Sequence, residues 1–134
     1  MDIDFAFICD YADAGNKLSA LGIGFDTIYA PQVPYVHPTF HLVVQLHSSV
    51  AEAGRKDVNI RLIDADGKDV IPPISAGMEV AQPPPGALEA VGRLVVGFGG
   101  IKFTAYGQYA LHVVVQGNEM VRIPIRVAQP PTTG

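Results

Sequence analysis

The sequence almost entirely lacks the spacing of an amphipathic helix. Hardly any window repeats apolar residues at i, i+3, i+4 and i+7, and 14 glycines and 11 prolines interrupt short apolar runs. Within those runs apolar and polar residues alternate, as they do in half-buried strands. The pattern predicts an all-β protein.

Charged residues are also scarce, at 16% of the chain, and the nine lysines and arginines stand singly within a net charge of -4. Such a chain has no electrostatic footprint for nucleic acid or an anionic membrane, so we expect neither as a partner. The first apolar run is too short for a spanning helix, and Asp2 and Asp4 stand where a signal peptide would be basic. We therefore predict a cytoplasmic protein.

Cysteine occurs once, at Cys9, which excludes an internal disulfide. Its neighbours in the stretch FAFIC are apolar, and no histidine or basic residue adjoins it. These surroundings favour a buried structural thiol over a reactive one.

What the chain does have is enough apolar residues for a core. With 134 residues, 49% of them hydrophobic, it can bury a large core in one domain. No internal repeat or domain boundary is visible. We predict a single domain over residues 1–128 and a flexible tail over 129–134, which is polar and contains prolines.

Seven to nine short strands are expected, separated by turn residues and with no helices to cover a parallel sheet. This arrangement predicts an antiparallel sandwich of two sheets, immunoglobulin-like or C2-like. The proline-bearing segment 30–38 is predicted to be a connection across a sheet edge. The clearest predicted strands are 3–9, 40–47, 57–64 and 94–98, and a final hairpin over 109–127 that turns at Gly117 and Asn118.

Three of the four histidines lie in the stretch HPTFHLVVQLH at 37–47. The even positions from 40 to 46 are apolar, so His41, Val43, Gln45 and His47 form the outer face of the strand. His41 and His47 are six residues apart, so their Cα atoms lie about 20 Å apart, too far to share a zinc ion. His112 lies on the outer face of its own strand, and the four histidines are interpreted as solvated surface residues.

Motifs for catalysis or cofactor binding are not found. Ser48 adjoins His47 outside any GxSxG pattern, and adjacent strand residues point to opposite faces. The GFGG run at 97–100 lacks the lysine of a phosphate loop. The stretch DADGKD at 64–69 lacks the closing glutamate of a calcium loop and is typical of a hairpin loop with Gly67 at positive φ. We predict no enzyme activity, no catalytic residue, no metal and no cofactor.

Apolar residues at outward strand positions are the feature of the sequence that points most clearly to a function. Val43, Ile63, Val95 and Val114 lie beside polar residues on nominally solvent-facing positions, and on one sheet they would form a patch for a protein partner or a second copy. The alternative is cover by the proline-rich loops. The predicted interface comprises His41, Val43, Gln45, His47, Ile63, Val95 and Val114.

Four stretches resemble an uncharacterised bacterial family of small cytoplasmic proteins. They are FAFICDYA at 5–12, GNKLSALGIGFDTIYAP at 15–31, VHP at 36–38 and YGQYALHVVVQGNEMVRIPIRV at 106–127. The resemblance covers nearly the whole chain and implies a β-sandwich with no assigned activity. It carries over no site residues.

These observations predict a non-enzymatic β-sandwich protein that acts through protein contacts and associates with itself. The alternative is a sandwich that binds a ligand, or a calcium or zinc ion, through the loops around residues 34–38 and 64–69.

Overall fold

The fold is a curled β-sheet with a small hairpin on its outer side. The computed structural model describes residues 1–15 and 17–131. The prediction of an all-β protein is confirmed. Apart from the strands, there is a short 3₁₀ turn at Val50–Glu52. The described part of the chain forms ten strands: β1 (Asp2–Cys9), β2 (Tyr11–Ala14), β3 (Leu18–Leu21), β4 (Thr27–Tyr29), β5 (Tyr35–Ser49), β6 (Gly54–Ile63), β7 (Ile74–Val80), β8 (Glu89–Phe103), β9 (Gly107–Val115) and β10 (Asn118–Ala128).

Eight strands form one continuous sheet in the order β1-β5-β8-β7-β6-β9-β10-β4, which curls into a half-barrel. Neighbours run antiparallel, except that β4 lies parallel to β10. β7 and β8 are joined by a single ladder pair, Val80 with Gly92. A Cβ added at Gly92 would lie 2.8 Å from Val80 Cγ2, so glycine permits the close approach at this narrow join.

The main core fills the concave inner face of the curled sheet. Strands from both sides of the β7–β8 join contribute to it, and Phe40 of β5 stacks on Phe98 of β8 with ring centroids 4.9 Å apart. Phe103 meets the ring of Tyr109 edge-on at 5.0 Å, and the Tyr109 hydroxyl donates to the Ala105 carbonyl at 2.7 Å. One contiguous core therefore serves the whole sheet.

β5 and β8 change the face that they bury partway along their lengths. The even-numbered residues face the main core from Phe40 to Leu46 of β5 and from Ala90 to Phe98 of β8. On the other side of Pro38 and Gly100 the odd-numbered Tyr35, Ile101 and Phe103 face it instead. Gly100 has φ +67°, which glycine adopts without steric cost, and Pro38 on the facing strand has no N–H to pair. The predicted connection over 30–38 is wrong from residue 35 onward, and β8 continues past the glycines at which it was expected to end.

A bulge in β1 interrupts the strict alternation that would otherwise follow from the predicted strand 3–9. Ile3 pairs with Leu46 and Phe5 with Gln45, so Asp4 has no partner in the backbone ladder with β5. Ile3 packs against the main core, while Phe5 points to the outer side. Simple alternation placed both residues on one face.

The β9–β10 hairpin is present, but its turn lies one residue earlier than predicted. Gln116 and Gly117 form the turn with φ of 51° and 81°, and β10 begins at Asn118. Positive φ at both central residues is the geometry whose twist matches paired strands. Of the predicted tail, residues 132–134 lie outside the described residues.

Within residues 1–15 and 17–131, no helix has the length and apolar character needed to cross a membrane.

Candidate functional site

The β2–β3 hairpin lies on the outer face of β1, β5 and β8 and creates a second, smaller core. Cys9, Ala12 and Val43 are buried there at 0%, 5% and 0% exposure. We call this group the hairpin core. The partly buried side chains packed against it are Phe5, Phe7, Leu18, Ala20 and Val95. This part of the sheet therefore has two buried faces, although the sequence alternates as if one face met water.

Backbone and side-chain contacts hold the hairpin in place. The Asp10 N–H donates to the Leu21 carbonyl at 2.9 Å, closing the base of the hairpin. The Tyr11 ring packs edge-on against the His41 ring at 5.2 Å. Cys9 Sγ lies 3.4 Å from the Tyr11 carbonyl, and burial, followed by the charge of Asp10, raises the pKa of the thiol. The prediction of a buried Cys9 is confirmed.

Five polar side chains link three strands on the same outer face. We call Asp2, Asp4, Gln45, His47 and Arg93 the polar cluster. His47 Nδ1 hydrogen-bonds the Asp4 carboxylate, and its Nε2 lies 3.6 Å from Asp2 Oδ2. Gln45 donates to Asp4 at 2.9 Å and accepts from Arg93 Nε at 2.6 Å. The bulge at Asp4 places its carboxylate between two side chains of β5.

Charge pairing in the polar cluster shifts two titrating groups in opposite directions. The hydrogen bond to Asp4, with the nearby charges of Glu89 and Asp2, raises the pKa of His47 above its ordinary 6.5. Hydrogen bonds from Gln45 and His47 lower the pKa of Asp4 below its ordinary 3.8. Both groups therefore favour their charged forms while the pair is formed.

An apolar groove opens next to the polar cluster, between β1 and the hairpin. It is lined by Phe5, Phe7, Leu18, Ser19, Ala20 and Ile23 and has a volume of about 530 Å³. The Phe5 and Phe7 rings stack at 5.8 Å, and Ile23 is 60% exposed. β1 is the terminal strand of the sheet and pairs with β5. The groove has no charged side chain in its lining and runs beside a sheet edge.

The outer face of β6, β9 and β10 is different, because none of the residues that the structure describes forms a hairpin over it. Arg61, His112 and Arg122 stand in register across the three strands. Arg61 Nε lies 2.9 Å from Asp69, and His112 Nδ1 lies 2.8 Å from Glu119. This face is a row of exposed or half-buried polar side chains.

The structure separates the predicted interface residues into two groups. His41, Val43, Gln45, His47 and Val95 lie on the outer face of β5 and β8. Ile63 and Val114 lie on β6 and β9 and are half-buried.

Val43 is covered by the chain's own hairpin, so a second molecule cannot reach it in this structure. Neither of the two explanations weighed from the sequence, a protein interface or the proline-rich loops, describes this cover. The groove residues and Asp4 were missed because the bulge in β1 conceals which residues point outward. The signal available in the sequence was the run FAFIC at 5–9, which is apolar at both odd and even positions and therefore indicates a strand with two apolar faces.

The two predicted ligand loops have different structures. Asp64 Oδ1 accepts from the backbone N–H groups of Asp66 and Lys68, each at 2.9 Å, and Gly67 has φ +81°. The predicted hairpin loop is confirmed, and its first carboxylate is used internally. Residues 35–38 belong to β5.

The prediction that the histidines are solvated surface residues is wrong in part, because all four are half-buried, and each has its own surroundings. The ring of His37 lies 5.8 Å from that of Phe40, and burial lowers its pKa. Among the residues that the structure describes, no group of three or more His, Cys, Asp or Glu is placed to hold a metal ion.

Ser48 is 2% exposed, while His47 lies in the polar cluster on the outer face. The two residues therefore do not form a common site.

The chain belongs to a family of unknown function, DUF6941, whose model matches residues 4–128. The resemblance to an uncharacterised family without assigned activity is thus confirmed. No curated protein matches the sequence. Among solved structures, the chain is similar to the Pseudomonas fluorescens alkylpurine DNA glycosylase AlkC bound to DNA containing an abasic site analog, with a TM-score of 0.47 and 13% sequence identity. The similarity covers 76% of this chain and 27% of that chain.

Proposed function

We propose that the protein is a non-enzymatic binding module that acts through protein contacts and associates with a second copy of itself through the apolar groove. The observation that carries this proposal is the groove lined by Phe5, Phe7 and Ile23 beside the terminal strand β1. Exposed apolar surface of this kind marks interaction sites on proteins.

A second copy is a suitable occupant because the groove is complementary to itself. Its lining has no charged side chain, so two copies related by a twofold axis would meet without like-charge repulsion. A twofold axis that passes through the groove would bring the stacked Phe5 and Phe7 rings of each copy towards those of the other. Twofold dimers are the commonest assemblies of soluble proteins, and the same patch then serves both subunits.

We further propose that the curled sheet is an immunoglobulin-like or C2-like sandwich and that the protein works in the cytoplasm, without nucleic acid or membrane as partner. Support for the sandwich comes from the narrow join at Val80 and Gly92, which divides the sheet into two halves packed on one core. Support for the compartment is a lone buried thiol at Cys9.

Self-association is tested by replacing an exposed groove residue with a charge. Sedimentation at about 100 µM, where a dimer with a Kd near 10 µM is mostly assembled, should give the mass of two chains for the wild type. Ile23→Glu should give the mass of one chain, because two carboxylates would face each other across the twofold axis. The side chain of Ile23 is 60% exposed, so the substitution leaves the fold intact.

Leu88→Glu is the matched control, since Leu88 is 84% exposed and does not line the groove. It should assemble like the wild type. A wild-type protein with the mass of one chain at this concentration would contradict the proposal, as would Leu88→Glu and Ile23→Glu weakening assembly equally.

A further inference from the structure

The polar cluster is one of three contacts that hold the N-terminal half of β1 to the sheet. The others are the packing of Met1 and Ile3 against the main core and an ion pair, 3.5 Å long, between the Met1 ammonium and Glu52. β1 is the terminal strand, and the bulge at Asp4 interrupts its pairing with β5 between Ile3 and Phe5. Before the bulge, Asp2 and Ile3 alone pair with His47 and Leu46. Side-chain contacts from Asp2 and Asp4 to His47 reinforce this short piece of ladder.

We propose that Asp2, Asp4 and His47 form a proton-controlled latch, which fastens the N-terminal half of β1 at mildly acidic pH and loosens it as the pH rises above neutrality. The geometry supports a latch because one imidazole contacts carboxylates at two positions of the same strand. His47 Nδ1 meets Asp4, and its Nε2 lies 3.6 Å from Asp2. A neutral imidazole has a single N–H and can donate to one of these carboxylates at a time.

The charged groups around His47 are mostly acidic. Asp2 and Asp4 face it from β1, and Glu89 adds a negative charge from β8. Arg93, the nearby cation of β8, has its Nε engaged by Gln45, and Glu79 of β7 borders the same part of the surface. An imidazolium is therefore the form that this environment stabilises.

The sign of the pH dependence follows from the two shifts. The pKa of His47 is raised, so its contribution is fully present below about 6.5 and is lost as the pH rises through the folded value. The pKa of Asp4 is lowered, so its contribution is present above about 3.8 and is lost as the pH falls through its folded value. The latch is strongest between these limits.

Loosening would expose apolar side chains that the folded strand protects. Met1 and Ile3 are partly buried and pack against the main core. Release of this short segment exposes them while residues 5–9 stay paired with β5 beyond the bulge. The latch thus converts a change of pH into a change in exposed apolar surface at the sheet edge.

Hydrogen exchange of the full chain tests the latch. Protection of the amides of residues 3–5, relative to core amides of β9, should fall about two- to fivefold between pH 5.5 and 8.5 in the wild type, the range expected for exposed ion pairs. His47→Gln cannot become charged, so its protection should be low and constant over this range. In Asp4→Asn, the fall in protection of residues 3–5 between pH 5.5 and 8.5 should be smaller than in the wild type.

His112→Gln is the matched control, because it removes another surface histidine that is paired with a carboxylate, Glu119. It should keep the wild-type dependence for residues 3–5. Protection that is constant with pH in the wild type, or that changes equally in His47→Gln, would overturn the latch. Repeating the series with Ile23→Glu separates the latch from association, so either proposal can fail alone.

Discussion

Two parts of the outer face of the sheet have similar sequence patterns but differ in burial. Val43 lies two residues from His41 on β5, and Val114 lies two residues from His112 on β9. Val43 is fully buried under the β2–β3 hairpin, whereas Val114 is half-buried on an uncovered face. Alternation places both valines outward, and a distant segment decides which of them meets water.

The histidines on these two parts of the outer face also differ in the strands that they contact. On the covered side, His47 contacts carboxylates of an edge strand that is interrupted by a bulge. On the open side, His112 contacts Glu119 of the adjacent, long hairpin strand β10. The first contact can affect how a strand docks, while the second lies on strands already held by an extended ladder.

The largest expected effect is that of a charge placed under the hairpin. Val43→Asp should lower the free energy of unfolding by about 3 kcal/mol or more, because a carboxylate would be buried without a partner. Val114→Asp should lower it by less than about 1 kcal/mol, since the half-buried side chain reaches water. Urea denaturation measures both. Equal losses would show that the hairpin does not cover Val43 in solution.

Reactivity of Cys9 gives the next largest effect. Alkylation of the native chain at pH 8 should be about a hundredfold slower than that of the urea-unfolded chain, because the hairpin covers the thiol and the raised pKa reduces the thiolate fraction. Val43→Ala should speed native alkylation by loosening the hairpin core. Val114→Ala should leave it unchanged, and a native rate equal to the unfolded rate would contradict the hairpin core.

The smallest effect is expected on the open face. Arg61→Gln removes the contact to Asp69, whose carboxylate is partly exposed, and should lower the free energy of unfolding by about 0.2–1 kcal/mol. Arg122→Gln, at the other end of the same row, should change it less. Urea denaturation at low and high salt checks both values. A loss above about 2 kcal/mol for Arg61→Gln would mean that this face is more buried than the structure shows.

Local patterns were predictable where neighbours in sequence are also neighbours in space. The strand core at Phe40 to Leu46, the β9–β10 hairpin and the hairpin loop with Gly67 were all foreseen. Each follows from residue alternation or from turn chemistry within a few positions.

The features that the sequence did not predict share a different cause. The bulge at Asp4 and the change of face opposite Gly100 shift the alternation by one residue, and nothing in the apolar pattern marks such a shift. The cover over Val43 depends on where β2 and β3 dock, and the alternation within these short strands does not encode the surface on which they dock. The polar cluster depends on the bulge, so it could not be predicted either.

By itself, the sequence determined that the chain is all-β, that Cys9 is buried and that the chain belongs to a family without assigned activity. Composition and alternation suffice for these properties because each depends on local periodicity or overall apolar content. Tertiary structure alone decided that the strands join in one curled sheet, that the hairpin covers Val43, and that His47 meets Asp2 and Asp4. These contacts join residues that are distant along the chain, such as Asp4 and His47, which are 43 positions apart, and strand register and hairpin docking select them.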